Sequence, residues 1–228
     1  MHKKSVISFI WLALFYIACL AGCILSVRYM DKAIGLILGF CIMLFTLPFC
    51  IILKKKKYIP AVFSLFNGFG TGLSIGAYYV TQEVEFTLFY AVISIAVCLA
   101  LYILYTIFIR KDFIKKHPKI FTILTLLALL IAFIIGWVRI SPELYSYMTF
   151  MFIVYIFYVF ALITPAKDSK ELFWHIGLCS YGALFLVSIV VLIIMSDGDG
   201  LSFDFFDVDL SFDVTDINTK KLKKKLRS

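Results

Sequence analysis

The chain has 228 residues, 63% hydrophobic and only 16% charged, whereas a soluble domain is about half apolar and a quarter charged. Its formal charge of +8 lies mostly in short patches between long uncharged runs. Basic residues placed there orient membrane segments and meet anionic headgroups, so the charge does not point to nucleic acid.

About 20 apolar residues at 1.5 Å rise cross a hydrocarbon core of about 30 Å. Seven stretches meet that length: Ser5–Val27, Ala33–Leu53, Tyr58–Val80, Phe86–Ile109, Ile120–Val138, Leu144–Thr164 and Leu172–Met195. The predicted class is all-α, a polytopic membrane helix bundle of seven transmembrane helices occupying residues 1–195 as one domain. Its first partner is the lipid bilayer, with anionic headgroups at the cytoplasmic face.

The first stretch is longer than the 7–15-residue apolar core of a cleaved signal peptide, which predicts a permanent helix. The second ends at the basic run Lys54 to Lys57. The third contains "NGFGTGLSIG", residues 67–76, which admits three readings. A phosphate cradle needs a glycine loop between a strand and a helix, but "YIPAVFSLF" and "AYYV" flank it with membrane-apolar residues. Gly72-Leu73-Ser74-Ile75-Gly76 has the G-x-S-x-G form of a serine nucleophile elbow, which also needs a histidine in reach. His2, His117 and His175 all fall near the cytoplasmic side, whereas Ser74 falls in the outer half of its helix. The third reading is packing. Gly68, Gly72 and Gly76 recur every four residues, and Ala61 and Ser64 extend the stripe. Such a glycine zipper lets helix backbones approach closely in lipid. Asn67, Gly70, Ser74 and Ala77 make a second small face, which suits the centre of a bundle.

The fourth and fifth stretches are almost wholly apolar, and no ionisable residue lies at mid-membrane in any of the seven. Polar groups inside are Asn67, Thr71, Ser74, Thr125, Ser180 and Ser188. On the aromatic sixth stretch, Tyr155 and Tyr158 are candidates to line a cavity with Asn67 and Ser74, although a lipid-facing aromatic face is the expectation for them. All six cysteines lie inside the stretches, without CxxC or zinc spacing, and read as small packing residues. Asp197-Gly198-Asp199-Gly200 begins like a calcium loop, but Val208 stands where the closing Glu is needed. The sequence therefore predicts no enzyme, and no catalytic, cofactor-binding or metal residue.

Thirteen basic residues flank the N-terminus and the even connections, against Arg28, Lys32 and Arg139 on the odd ones. That places the N-terminus in the cytoplasm and the tail, residues 196–228, outside. The tail holds seven Asp, then six basic residues in its last ten. Strict alternation from Phe206 to Val214 predicts a short strand if a partner exists, and disorder otherwise.

Residues 54–164 resemble the Bax inhibitor family of seven-span membrane proteins. The resemblance rests on "KKKK" before the glycine-rich "FSLFNGFGTGLSIG", a non-basic outer connection, "YTIFIRKDF" closing the fourth span, and "SPELYSYMTFMFIVYIFYVF". It implies a part in ion homeostasis or stress survival. Members that leak calcium carry a membrane aspartate pair on the last two spans. Here the sixth ends "FALITPAKD" and the seventh has no acid between Leu172 and Met195. The other reading is a non-transporting interaction protein with a membrane-protein partner: a scaffold, toxin-immunity protein or secretion accessory. Phe-, Ile- and Lys-rich usage fits a low-GC bacterium and its plasma membrane.

Overall fold

The computed structural model describes residues 2–83, 85–108, 123 and 142–197. Six α-helices occupy them: α1 (His2–Tyr29), α2 (Lys32–Ile52), α3 (Ile59–Thr81), α4 (Leu88–Phe108), α5 (Pro142–Ile163) and α6 (Ser169–Asp197). All six are long and apolar enough to cross a membrane, and no strand occurs among the described residues. The stretch 120–138 (Ile123 apart) and the tail beyond Asp197 lie outside the described residues. The fifth of the seven expected spans, Thr125 and the alternating segment 206–214 fall there.

Local chemistry sets the helix ends. Asp31 precedes α2 in extended conformation (φ −71°, ψ 154°), an acid at the positive end of the helix dipole. Pro60 sits in the first turn of α3, where its missing N–H costs nothing. The chain leaves α3 through Glu83, whose φ of 52° is left-handed and breaks the helical run. At the start of α6, Asp168 Oδ1 accepts the Glu171 N–H (2.8 Å) and Glu171 Oε2 accepts the Lys167 N–H (2.5 Å). Two donors of that helix start are thus satisfied by side chains, in the manner of a capping box. Pro48 lies within α2; such a proline would break a helix in water and is tolerated in membrane helices.

Ring and hydrogen-bond contacts fix the helix directions. Tyr58 meets Phe173 near the starts of α3 and α6, and Asn67–Ser180 and Ser74–Ser188 follow in step, so these two run parallel. Phe9 near the start of α1 meets Tyr102 near the end of α4, so those two are antiparallel. Tyr90 meets Tyr147 and Tyr102 meets Tyr155, so α4 and α5 run the same way. Three helices (α1, α3, α6) therefore point one way, and α2, α4 and α5 the other. Lys3, Lys4, Lys54 to Lys57, Lys167 and Lys170 gather at one end of the bundle. Only Arg28 and Lys32, among described basic residues, stand at the other.

The centre belongs to α3. In its most apolar stretch 67% of residues are buried, against 22–56% in the other five helices. It is also the helix that glycine dilutes most, so its burial follows from thinness rather than from greasiness.

Candidate functional site

The glycine stripe of α3 lies against the backbone of α1. A Cβ built on Gly72 would fall onto the Cys19 carbonyl oxygen and stand 2.8 Å from the Cys23 nitrogen. One built on Gly68 would be 2.9 Å from the Phe15 oxygen, and one on Gly76 would be 3.0 Å from the Cys23 oxygen. Carbonyls four residues apart on α1 thus stand opposite glycines four residues apart on α3. From the other side, a Cβ on Gly22 would fall onto the Phe69 oxygen. Neither backbone has room for a methyl group. Ala61 and Ser64, which continue the stripe, are fully buried.

The second small face of α3 meets α2. A Cβ on Gly39 would be 3.0 Å from the Gly70 oxygen and 2.6 Å from Ser74 Oγ, and one on Gly35 would be 3.1 Å from the Leu73 oxygen. The residues run in opposite order, as antiparallel neighbours must.

A polar seam joins α3 to α6 and, through Thr46, to α2. Asn67 Nδ2 donates to Ser180 Oγ (2.9 Å), and Ser180 donates onward to the Gly177 carbonyl (2.6 Å). Thr46 Oγ1 donates to the Ile42 carbonyl (2.6 Å) and lies 3.3 Å from Asn67 Oδ1. Its single proton serves the shorter contact. Thr71 donates to the Asn67 carbonyl at 2.7 Å. The Ser74 and Ser188 hydroxyls are 2.9 Å apart, with Ser74 Oγ also 3.3 Å from the Gly70 oxygen. If Ser74 donates to Gly70, Ser188 donates to Ser74, and each proton is used once. Asn67, Ser74, Ser180 and Ser188 are all fully buried.

This seam is neutral throughout. No Asp, Glu, Lys, Arg or His is buried among the described residues, and no group of three or more His, Cys, Asp or Glu gathers there. The side-chain partner of Ser74 is a second serine. His175 lies 13 residues before Ser188 on α6, about 20 Å along the axis. Hydroxyls and one amide can hold helices in register, but nothing here takes up or releases a proton near neutral pH.

The tyrosines of α5 behave differently from expectation. Tyr155 and Tyr158 are 1% and 0% exposed, so neither faces lipid. Tyr158 packs edge-on against Phe15 at 5.5 Å, on the α1 side of the stripe. Tyr155 stacks on Phe152 (5.5 Å) and meets Tyr102 edge-on (6.4 Å), on the α4 side. The sequence reading also passed over Gly22, Ser26, Gly35, Gly39 and Thr46, which form the other walls. Gly35-x-x-x-Gly39 and Gly22-x-x-x-Ser26 carry the same four-residue spacing as the α3 stripe, and that was the available signal.

Asn67→Ala is expected to destabilise the protein by about 1–2 kcal/mol, combining a lost interhelical hydrogen bond with an unfilled space. Unfolding in a detergent titration checks this, with Ser180→Ala and the double variant giving a coupling of about 0.6 kcal/mol. Additive losses would mean that the two side chains do not interact.

No family model, curated protein or solved structure matches this chain.

Proposed function

We infer that the chain is a seven-crossing membrane protein that works by interaction with another membrane protein rather than by conducting ions. The observation that carries this reading is the neutral seam of Asn67, Ser74, Ser180 and Ser188, paired within itself. Ionisable groups are costly at membrane depth and, where kept, mark ion and proton routes; none is buried among the described residues. The class of role is a scaffold, a toxin-immunity protein or a secretion accessory.

The seventh crossing is supported by helix direction. Since α4 and α5 run the same way, the chain between Phe108 and Pro142 has to return from one end of the bundle to the other. The apolar stretch 120–138 is long enough to do so. Orientation is supported by the lysines gathered at one end, which by the positive-inside rule is the cytoplasmic one. We read the α3 stripe as a glycine zipper that sets the α1–α3 spacing. A bacterial plasma membrane is the setting that the composition suggests.

A second reading, Bax-inhibitor-like action in ion homeostasis or stress survival, is favoured by the basic run before a glycine-rich third helix. The two readings differ in one measurement, ion flux from liposomes carrying the purified protein. Little pH-dependent calcium leak is expected. The two acids at the start of α6, Asp168 and Glu171, are occupied in capping it. A leak with a midpoint between about pH 5 and 8, where a perturbed carboxylate or histidine titrates, would favour the second reading. Capture of a specific membrane partner in the native host, with silent liposomes, would favour the first.

A further inference from the structure

The lysine-rich end of the bundle holds an open pocket of about 360 Å³, lined by Lys54, Lys167, Asp168, Lys170, Glu171 and Trp174. Three elements converge there: the end of α2, the α5–α6 connection and the first turns of α6. The two carboxylates are engaged with backbone, Asp168 with the Glu171 N–H and Glu171 with the Lys167 N–H. None of the three ammonium groups is ion-paired among the described residues, and all three lysines are exposed. Trp174 is half-buried beside them. An indole at this level suits the membrane–water interface, where one side of the ring is apolar and the other wet.

We propose that this pocket is a binding site for one phosphate-bearing anionic group, held by Lys54, Lys167 and Lys170 with Trp174 as its apolar wall. Lysine binds phosphate as a mobile point charge, and three from separate elements can surround a single phosphodiester. The neighbouring Lys55, Lys56 and Lys57 raise the local potential but do not line the pocket. Two sources supply this chemistry, an anionic phospholipid headgroup and a soluble phosphate compound. The site rests on the membrane reading above for its lipid source, but binding in detergent does not depend on which face is cytoplasmic.

The test uses the full chain in a non-ionic detergent, with Trp11 and Trp137 replaced by Phe so that Trp174 alone reports. Phosphatidylglycerol should change its fluorescence saturably at one per chain, and phosphatidylcholine should not. Lys54→Gln/Lys170→Gln should weaken binding about 25-fold, since each of the two lysines near an anionic group contributes about fivefold. Both lysines are exposed, so an unchanged melting temperature is expected, and Lys54→Gln alone serves if the pair misfolds. Lys55→Gln/Lys56→Gln removes the same charge outside the pocket and should weaken binding by much less. Competition by inorganic phosphate at matched concentration would assign the site to a soluble compound, and its absence to lipid. Equal loss from the two charge pairs, or an equal response to phosphatidylcholine, would overturn the proposal.

Discussion

Gly72→Leu is expected to cost the protein most of its resistance to unfolding, while Ser74→Ala costs little. Even the first carbon of a side chain at position 72 would fall onto the Cys19 carbonyl, with the Cys23 nitrogen 2.8 Å away. These are backbone atoms of a packed helix, so no rotamer change relieves the clash, and α1 and α3 must separate along their length. Overpacking of a core costs about 1–3 kcal/mol where side chains can adjust; here the upper end or beyond is expected. Gly72→Ala should already be measurably unstable. At Ser74 the loss is one interhelical hydrogen bond, on average about 0.6 kcal/mol in membrane bundles. Ser188 can turn its freed proton to the carbonyl four residues back. Unfolding by denaturing detergent, followed by circular dichroism, ranks the variants. A parent-like Gly72→Leu would remove the account of α1–α3 packing. A Ser74→Ala variant that folds normally but loses a hydrolytic activity would restore the serine-elbow reading.

The second large effect is all-or-none. A cysteine at Ser202, with the six native cysteines replaced, should react with an impermeant thiol reagent in intact cells. Two observations bear on this expectation. Thirteen basic residues against three favour this orientation of the spans, and the shared direction of α4 and α5 supports a further crossing between them. The final basic cluster begins at Lys220, beyond the ~15–20 residues from the last span that count most in the rule. Six basic residues near an anionic inner leaflet would each gain about 1 kcal/mol, which is the force that opposes this placement. Labelling only after lysis would put the tail in the cytoplasm and make the number of crossings even.

The long apolar helices were legible because their signal is local: each stretch carries its own length and its own lack of charge. The two small faces of α3 were legible for the same reason, since Gly68, Gly72 and Gly76 are successive positions of one helix. What each face meets was not. Gly35 and Gly39 of α2 and Gly22 of α1 carry matching spacings, but nothing local says which small stripe pairs with which. Pairing depends on shape matched across dozens of residues. Tyr155 and Tyr158 show the complementary failure. The helix α5 is apolar nearly all round, so its sequence does not distinguish an inward face from a lipid-facing one. Contacts with remote residues such as Phe15 and Tyr102 help to bury those rings. The pocket at the lysine-rich end was not legible because Lys54 and Lys170 are remote in sequence, and each reads singly as an end-of-span charge.

The claim on which the rest depends is that α3 is central, with α6 parallel to it along the seam. Ser74→Cys and Ser188→Cys, introduced together into a cysteine-free chain with a protease site after Lys116, test it most directly. The parent hydroxyls are 2.9 Å apart, so the two thiols should join under mild oxidation with only the small adjustment that a disulfide requires. After cleavage the two fragments should migrate as one species without reductant and separate with it. A control pair of Phe45→Cys, on the exposed side of α2, with Ser188→Cys should not join. Fragments that part in both conditions for the Ser74 pair, or a control pair that joins as readily, would contradict the central position of α3.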